Sequence, residues 1–387
     1  VEHCSKDKIA SFRTLLHAAC ETKYYSEIGG KPCLVEELGT LGPCICDDKT
    51  TGGFMRANLF SNWANGAAGV LWWCANEQIM LETPPYCWNM CETELGMLDR
   101  NRKAKPTLVE MKKFSEWLRG TDFTLPKANT DAVCIVTEGQ DQWGAAYMTY
   151  MLAKQAKLNI SFAFGSRGIP DSGVYIMPSV NSIHIMPSYM LSELKRRVAD
   201  GAVLYVSNND SVISDFAELT GAEINDSRTC RESGSFTLDG ETLFYERERV
   251  FDITPQRAEV LCHDENGGAL VTVSRYGSGR VFYVNFPAET CLLDKSEAYE
   301  TKQYMLYRRI FSDKIRAHAA DSDNRRIGIT EHYDGDTVYA VIINYSGNTE
   351  KTNLKISGEY RLEKAIRGNA EEIAPFDAAV LKLVRSK

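Results

Sequence analysis

The sequence predicts a mixed α/β protein, and three patterns lead to this prediction. Near the N-terminus, two short apolar runs flank a helical stretch. In the middle of the chain, buried-strand runs alternate with amphipathic helices, and near the C-terminus short strands are separated by Asp-Gly, Ser-Gly and Gly-Asn turns. We therefore expect a strand–helix–strand region, a doubly wound α/β domain and a small C-terminal antiparallel β-sandwich.

The first region carries the candidate site residues. Residues 31–40 (KPCLVEELGT) and 69–74 (GVLWWC) read as strands, and residues 51–65 between them have a helical pattern. Parallel strands that are joined by helices present their functional groups at the strand C-termini, as in a (β/α)8 barrel. Glu37 and the Trp72/Trp73 pair lie at those ends.

Side-chain alternation along the first strand favours one of its two glutamates. In a regular strand Val35 and Glu37 share one face, whereas Leu34 and Glu36 share the other. Glu37 is the last residue before the turn at Leu38, so we expect it to reach a cleft and Glu36 to face the helical layer. A solvated strand end is the competing interpretation of the Glu-Glu pair.

The paired tryptophans have two interpretations. An indole offers a flat apolar surface and an N–H donor, which is the kind of group that packs on the face of a sugar ring. Two core tryptophans are the alternative.

These segments resemble the clan A glycoside hydrolases, the (β/α)8 enzymes that include cellulases, β-mannanases and β-galactosidases. KPCLVEELG is similar to their seventh strand, in which a Glu before an aromatic or aliphatic residue and Gly is the nucleophile, and Glu37 matches that position. Residues 62–78 resemble the last helix and the eighth strand, whose terminal Trp lines the subsite of the cleaved sugar; Trp73 fits better than Trp72. Residues 105–118 resemble the closing helix.

The resemblance implies a retaining β-glycoside hydrolase whose site is incomplete in this chain. Such enzymes need two carboxylates about 5 to 5.5 Å apart, and the family takes its acid/base from an Asn-Glu pair on a fourth strand. A whole barrel takes about 250 residues, so residues 1–122 are expected to be its C-terminal part. We expect a missing N-terminal barrel segment as a partner, an oligo- or polysaccharide or β-glycoside as substrate, and an inactive chain when alone.

Other residues are weaker candidates for contacts with sugar hydroxyls. These are His3 and the loop residues Asn76, Glu77 and Gln78, which should reach the same mouth. The competing class of function is a noncatalytic assembly or carbohydrate-binding fragment, in which Glu37 is a relic.

The second region, residues 123–320, is predicted to be a flavodoxin- or amidotransferase-like α/β domain. Residues 191–205 and 277–285 resemble the amidotransferase-like domain of several β-galactosidases, which contributes to trimer formation, so a homo-oligomer is among the expected assemblies. Amidotransferase activity is not expected, because Cys134 lies inside a strand and neither His184 nor His263 has a nucleophile-elbow context. Residues 277–279 are expected to form a tight hairpin turn.

The third region, residues 321–387, reads as a β-sandwich near the lower size limit for an independent core, so we expect it to pack on a neighbour. Its few aromatic residues favour a structural cap over a carbohydrate-binding module.

Charge and composition exclude several partners. The 387 residues are 44% hydrophobic and 25% charged, with a net charge of −8 and no basic block. This balance argues against nucleic acid and anionic lipid and suits a neutral sugar. No apolar run of about 18 residues is present, so we expect no membrane partner.

The twelve cysteines are scattered and do not form a compact disulfide framework. We interpret most as buried free thiols in a reducing compartment and expect a cytoplasmic protein. The examples at apolar positions are Cys20, Cys74, Cys134 and Cys262. The close pairs at positions 44/46 and 87/91 have no second pair or His at zinc-site spacing, so we expect no metal and no other cofactor.

Overall fold

The structure is a computed structural model with a mixed α/β fold. It describes residues 12–39, 47–79, 82–84, 86–88, 93–295 and 297–386. Contacts divide the chain into two compact units, one formed by Val1–Asn129 with Arg316–Lys387 and the other by Thr130–Ile315. The division into three domains at residues 122 and 320 stays a prediction.

The first unit begins with helices and a pair of parallel strands. In chain order these are α1 (Phe12–Gly29), β1 (Leu34–Leu38), α2 (Asp48–Ala64), β2 (Gly69–Trp72), a 3-10 turn (Tyr86–Trp88) and α3 (Pro106–Arg119). The Asp47 side chain caps α2 by accepting a hydrogen bond from Thr50 N at 2.7 Å. Strands β1 and β2 pair in parallel, as the strand–helix–strand pattern predicts.

Two glycines let α2 pack closely against its neighbours. A Cβ at Gly52 would lie 2.9 Å from Pro106 Cβ, and one at Gly53 would lie 2.8 Å from the ring of Phe376. A glycine inside a helix costs about 0.5–1 kcal/mol relative to alanine. The close packing against α3 and the C-terminal strands offsets this cost.

The elements of the second unit are, in chain order, β3 (Ala132–Val136), α4 (Gln142–Ala156), β4 (Ile160–Phe164), β5 (Val174–Asn181), α5 (Ser188–Ala199), β6 (Val203–Asp210), α6 (Phe216–Thr220), β7 (Ala222–Leu238), β8 (Glu241–Pro255), β9 (Glu259–His263), β10 (Ala269–Tyr276), β11 (Gly279–Val284), 3-10 turns (Thr290–Leu292 and Ala298–Glu300), α7 (Tyr304–Ile310) and α8 (Ser312–Arg316). Seven of the strands form one sheet in the order β4-β3-β5-β6-β11-β10-β9.

Helices cover both faces of this sheet. Alternate residues such as Val133 on β3 pack with Leu194 on α5 in one core cluster. On the opposite face Tyr205 on β6 meets Tyr307 on α7, with ring centroids 5.5 Å apart. This two-sided burial explains the continuous apolar runs of the strands.

The sheet is mixed: most of its strands are parallel, as the alternation of strands and helices predicts, and one edge is antiparallel. Strands β4, β3, β5, β6 and β11 run parallel. β10 pairs antiparallel with β11, and β9 pairs antiparallel with β10 at the edge. The reversal occurs at the predicted hairpin, where Tyr276 pairs with Gly279. Gly277 has a φ of +59° there, which glycine adopts without steric cost.

The sequence patterns do not predict the long hairpin of β7 and β8. The two strands have 17 and 15 residues and form a separate two-stranded sheet. Much of β7 is polar and exposed, so it lacks the apolar alternation that marks a strand.

The C-terminal strands complete the first unit. They are β12 (Ala320–Ser322), β13 (Ile327–Asp334), β14 (Thr337–Asn344), β15 (Glu350–Lys351), β16 (Leu354–Ile356), β17 (Tyr360–Arg367), β18 (Glu372–Ile373) and β19 (Ala378–Arg385). Four of them form an antiparallel sheet in the order β13-β14-β19-β17. This module packs on α2: Arg56 donates to Phe376 O at 3.1 Å, and the Ser61 and Tyr345 hydroxyl oxygens are 2.8 Å apart.

The described cysteines differ in exposure. Cys20, Cys134 and Cys262 are buried as expected, whereas Cys74 is half-buried and Cys230 is exposed. None of the described helices is long and apolar enough to span a membrane.

Candidate active site

The candidate site lies at the C-terminal ends of β1 and β2. Leu34 pairs with Gly69, Val35 with Val70, and Leu38 with Trp72. One face of this two-stranded sheet is buried and carries Val35, Leu38 and Trp72. The other face exposes apolar side chains: Leu34 is 46% and Leu71 is 53% exposed.

A β-bulge sets the direction of Glu37. The register shifts between Val35 and Leu38, so that both Glu36 and Glu37 lie opposite one residue of β2. Glu37 has a φ of +52°, which is uncommon for a residue with a side chain. Strict alternation would place Glu37 on the buried face with Val35; the bulge turns it outward, and both glutamates are exposed.

The expectation that Glu36 faces the helical layer is therefore wrong. Glu36 shares the exposed face with Leu34, as a spacing of two residues requires. The premise that Val35 and Glu37 share a face also fails. The cause is the bulge, which adds one residue to β1 between Val35 and Leu38.

The two tryptophans have different environments. Trp72 is 8% exposed, its indole N–H donates to Leu95 O at 3.2 Å, and its ring meets the edge of Phe54 at 6.5 Å. Trp73 is 42% exposed and follows the last residue of β2. Trp72 is thus a core residue on one side of the sheet, and Trp73 has surface available for a ligand.

Glu37 and Trp73 belong to backbone segments that touch. Trp73 N donates to Leu38 O at 2.9 Å. A Cβ placed on Gly39 would lie only 3.0 Å from Trp73 O and 3.9 Å from Trp73 Cβ. The turn after β1 therefore passes directly against Trp73, which requires the small residue after Leu38. A cavity shared by the Glu37 and Trp73 side chains stays a prediction.

The remaining candidates are placed less favourably. Asn76 is exposed, and Gln78 donates a weak hydrogen bond to Cys74 Sγ at 3.6 Å. Glu77 accepts hydrogen bonds from Arg100 N and Lys105 Nζ, each at 3.0 Å, so both of its carboxylate oxygens are engaged within the chain. His3 lies outside the described residues.

Sequence reasoning missed the role of Lys105. Its Nζ contacts Asp48 and Glu77 at 3.0 Å each and donates to Glu94 O at 2.9 Å. Burial alone would lower the pKa of Lys105, but the hydrogen bonds to Glu77 and Asp48 raise it. This contact ties α2 and α3 to the loop after Trp73; its partners are far apart in sequence, so no local pattern signals it.

Potential metal ligands and cysteine thiols are further groups that could form a site. No described group of three or more His, Cys, Asp or Glu side chains is arranged to hold a metal ion. Cys134 is buried inside β3. Cys44 and Cys46 lie outside the described residues.

The fold matches solved glycoside hydrolases. An exo-β-1,4-mannosidase from Opitutaceae bacterium strain TAV5 matches with a TM-score of 0.64 and 21% identity over 79% of this chain and 56% of that chain. The GH42 β-galactosidase Gan42B from G. stearothermophilus matches with a TM-score of 0.69 and 12% identity, covering 97% of this chain and 57% of that one. The chain therefore shares its fold with the matching parts of these glycoside hydrolases.

A β-galactosidase from Halorubrum lacusprofundi gives a similar result, with a TM-score of 0.68 and 14% identity over 96% of this chain and 57% of that one. The chain thus spans a little over half the length of these enzymes. No family model and no curated protein matches the sequence. At such identities the similarity concerns the fold.

Proposed function

We propose that this chain carries the nucleophile half of the active site of a retaining β-glycoside hydrolase. The observation that carries the proposal is the pair of adjacent strand ends, where the exposed carboxylate of Glu37 lies on a segment that touches exposed Trp73. Sites in this fold class form at the C-terminal ends of parallel strands. The fold that the chain shares with the mannosidase and the β-galactosidase supports a glycoside hydrolase function.

In the proposed reaction Glu37 forms a covalent bond to the anomeric carbon while the bond to the leaving-group oxygen breaks. A second carboxylic acid gives its proton to that oxygen. The resulting carboxylate then takes a proton from water, which attacks the anomeric carbon and releases Glu37 with net retention of configuration. Trp73 packs on the sugar ring during both steps.

The bulge in β1 supports this role for Glu37. Bulges are common beside active sites because they redirect a side chain, and a non-glycine residue with positive φ persists only where its surroundings hold it. Glu37 combines both features.

We place the acid/base carboxylate on polypeptide beyond this chain. Within the described residues β1 and β2 pair only with each other, and Leu34 and Leu71 expose apolar side chains on one face. Parallel strands are normally buried on both faces. Further barrel strands would pair with these edges, and closure of the barrel would cover the exposed face and supply the second carboxylate.

The test compares the chain alone with the complete protein. The chain alone should not hydrolyse aryl β-galactoside, β-glucoside or β-mannoside, because general acid/base catalysis typically contributes about 10² to 10⁴-fold. The complete protein should hydrolyse at least one of them. Glu37→Gln should abolish that activity, and Glu36→Gln is the matched control.

Turnover by the chain alone that disappears with Glu37→Gln would refute the need for a second segment. A complete protein that lacks activity on the whole panel but binds sugar would favour the noncatalytic, carbohydrate-binding alternative.

A further inference from the structure

A groove of about 370 Å³ lies in the second unit, beyond the C-terminal ends of β5 and β6. The loop after β5, the first two turns of α5 and the loop before α6 form its walls. Ligand pockets in proteins typically have about 300–1,000 Å³. Sheets with parallel strands bind ligands beyond the carboxyl ends of those strands, so both size and position suit a small ligand.

The groove is rich in hydroxyl groups. Ser188, Ser192 and Ser214 line it, together with His184. The Ser192 hydroxyl donates to Ser188 O at 3.0 Å, so its oxygen can still accept a hydrogen bond. A hydroxyl both donates and accepts hydrogen bonds. This lining therefore matches a ligand that also carries both donors and acceptors.

The charges in the groove argue against an anionic ligand. Lys195 is the cation of the wall, and its Nζ lies 2.9 Å from Asp215 and 3.3 Å from Glu218. Two carboxylates beside one ammonium leave no net positive charge to attract a phosphate. A neutral polar ligand avoids this repulsion.

Apolar side chains adjoin the polar lining. Ile183, which lines the groove, is 73% exposed, and Tyr189, next to the lining residue Ser188, is 66% exposed. A tyrosine ring packs well on the C–H face of a sugar.

We propose that this groove binds a neutral sugar unit through the Ser188, Ser192 and Ser214 hydroxyls and the Lys195–Asp215 pair, with Tyr189 beside the ring. It is an accessory site of the second unit. Its existence does not depend on the assignment of Glu37.

The proposal is tested by ligand-observed NMR on the full chain with galactose, mannose and glucose, each titrated separately. Ser192→Phe fills the groove from the exposed face of α5. It should weaken binding of the preferred sugar about tenfold or more, a loss of about 1.4 kcal/mol for each tenfold step. Ser115→Phe on α3 is the matched control, since Ser115 is also an exposed helical serine.

Glu37→Gln separates this inference from the proposed function, because it should leave sugar binding at the groove unchanged. Tyr189→Ala should weaken binding without changing the unfolding midpoint. The inference is overturned if none of the three sugars binds or if Ser192→Phe binds the preferred sugar as tightly as Ser115→Phe does. It is also overturned if inorganic phosphate binds at the groove and the sugars do not.

Discussion

Replacement of Arg247 by Met probes a buried ionic cluster that holds the second unit together. Arg247 on β8 has a side chain only 2% exposed, and its guanidinium contacts Asp264 at 2.8 Å and Glu232 at 2.7 Å. It also donates to Asn285 O at 3.1 Å, at the end of β11. Methionine keeps much of the side-chain volume but leaves two carboxylates without a counter-charge.

Removing one partner of a buried ion pair costs about 3–5 kcal/mol. A unit of this size loses about 2–4 °C of melting temperature per kcal/mol, so Arg247→Met should lower the Tm by about 6–20 °C. Thermal and urea unfolding followed by circular dichroism measure this change. The double variant with Asp264→Asn should recover part of the loss, because it removes one of the unpaired charges.

The matched control is Arg249→Met, two residues along the same strand. Arg249 is 34% exposed and lies 3.3 Å from Asp210, which is 55% exposed. A surface pair of this kind contributes about 0–1 kcal/mol. Equal Tm changes for Arg247→Met and Arg249→Met would refute the reasoning.

Two further predictions concern titratable groups. Burial alone would raise the pKa of Glu110, but hydrogen bonds from Lys113 and Arg56 lower it below 4.5. The contribution of the Glu110 carboxylate to stability is therefore present above pH 4.5 and lost as the pH falls through the folded-state pKa. The urea unfolding midpoint of Glu110→Gln should lie below that of the wild-type protein at neutral pH, and the two midpoints should converge in acid. Burial raises the pKa of Cys262 to about 11, so iodoacetamide at neutral pH should label exposed Cys230 and not Cys262, as read by peptide mass spectrometry; labelling of both at equal rates would contradict the burial.

Strongly periodic segments were predictable from sequence. The sequence has an amphipathic helical pattern over residues 188–199 and a short apolar strand run over residues 160–164, and the structure forms helix α5 (Ser188–Ala199) and strand β4 (Ile160–Phe164) there. In both cases a local apolar period and a nearby turn residue define the element. The fold of the second unit follows because these elements alternate along the chain.

Features that depend on pairing were not predictable. The bulge at Glu37 exists because β1 carries one more residue than β2 between their paired positions. The two-residue alternation of side chains along a strand does not reveal this extra residue. The same holds for Lys105, whose partners Asp48 and Glu77 are distant in sequence. Glu37 emerged as a candidate from its position at the strand end, although the alternation argument for it was wrong.

Trapping the glycosyl-enzyme intermediate tests the assignment of Glu37 most directly. In the complete protein, a 2-deoxy-2-fluoro β-glycoside with a good leaving group should accumulate on the nucleophile, because the fluorine destabilises the oxocarbenium-like transition state of hydrolysis. Proteolysis and mass spectrometry should then locate the fluoro sugar on Glu37. A label on Glu36 or on any other residue would contradict the account.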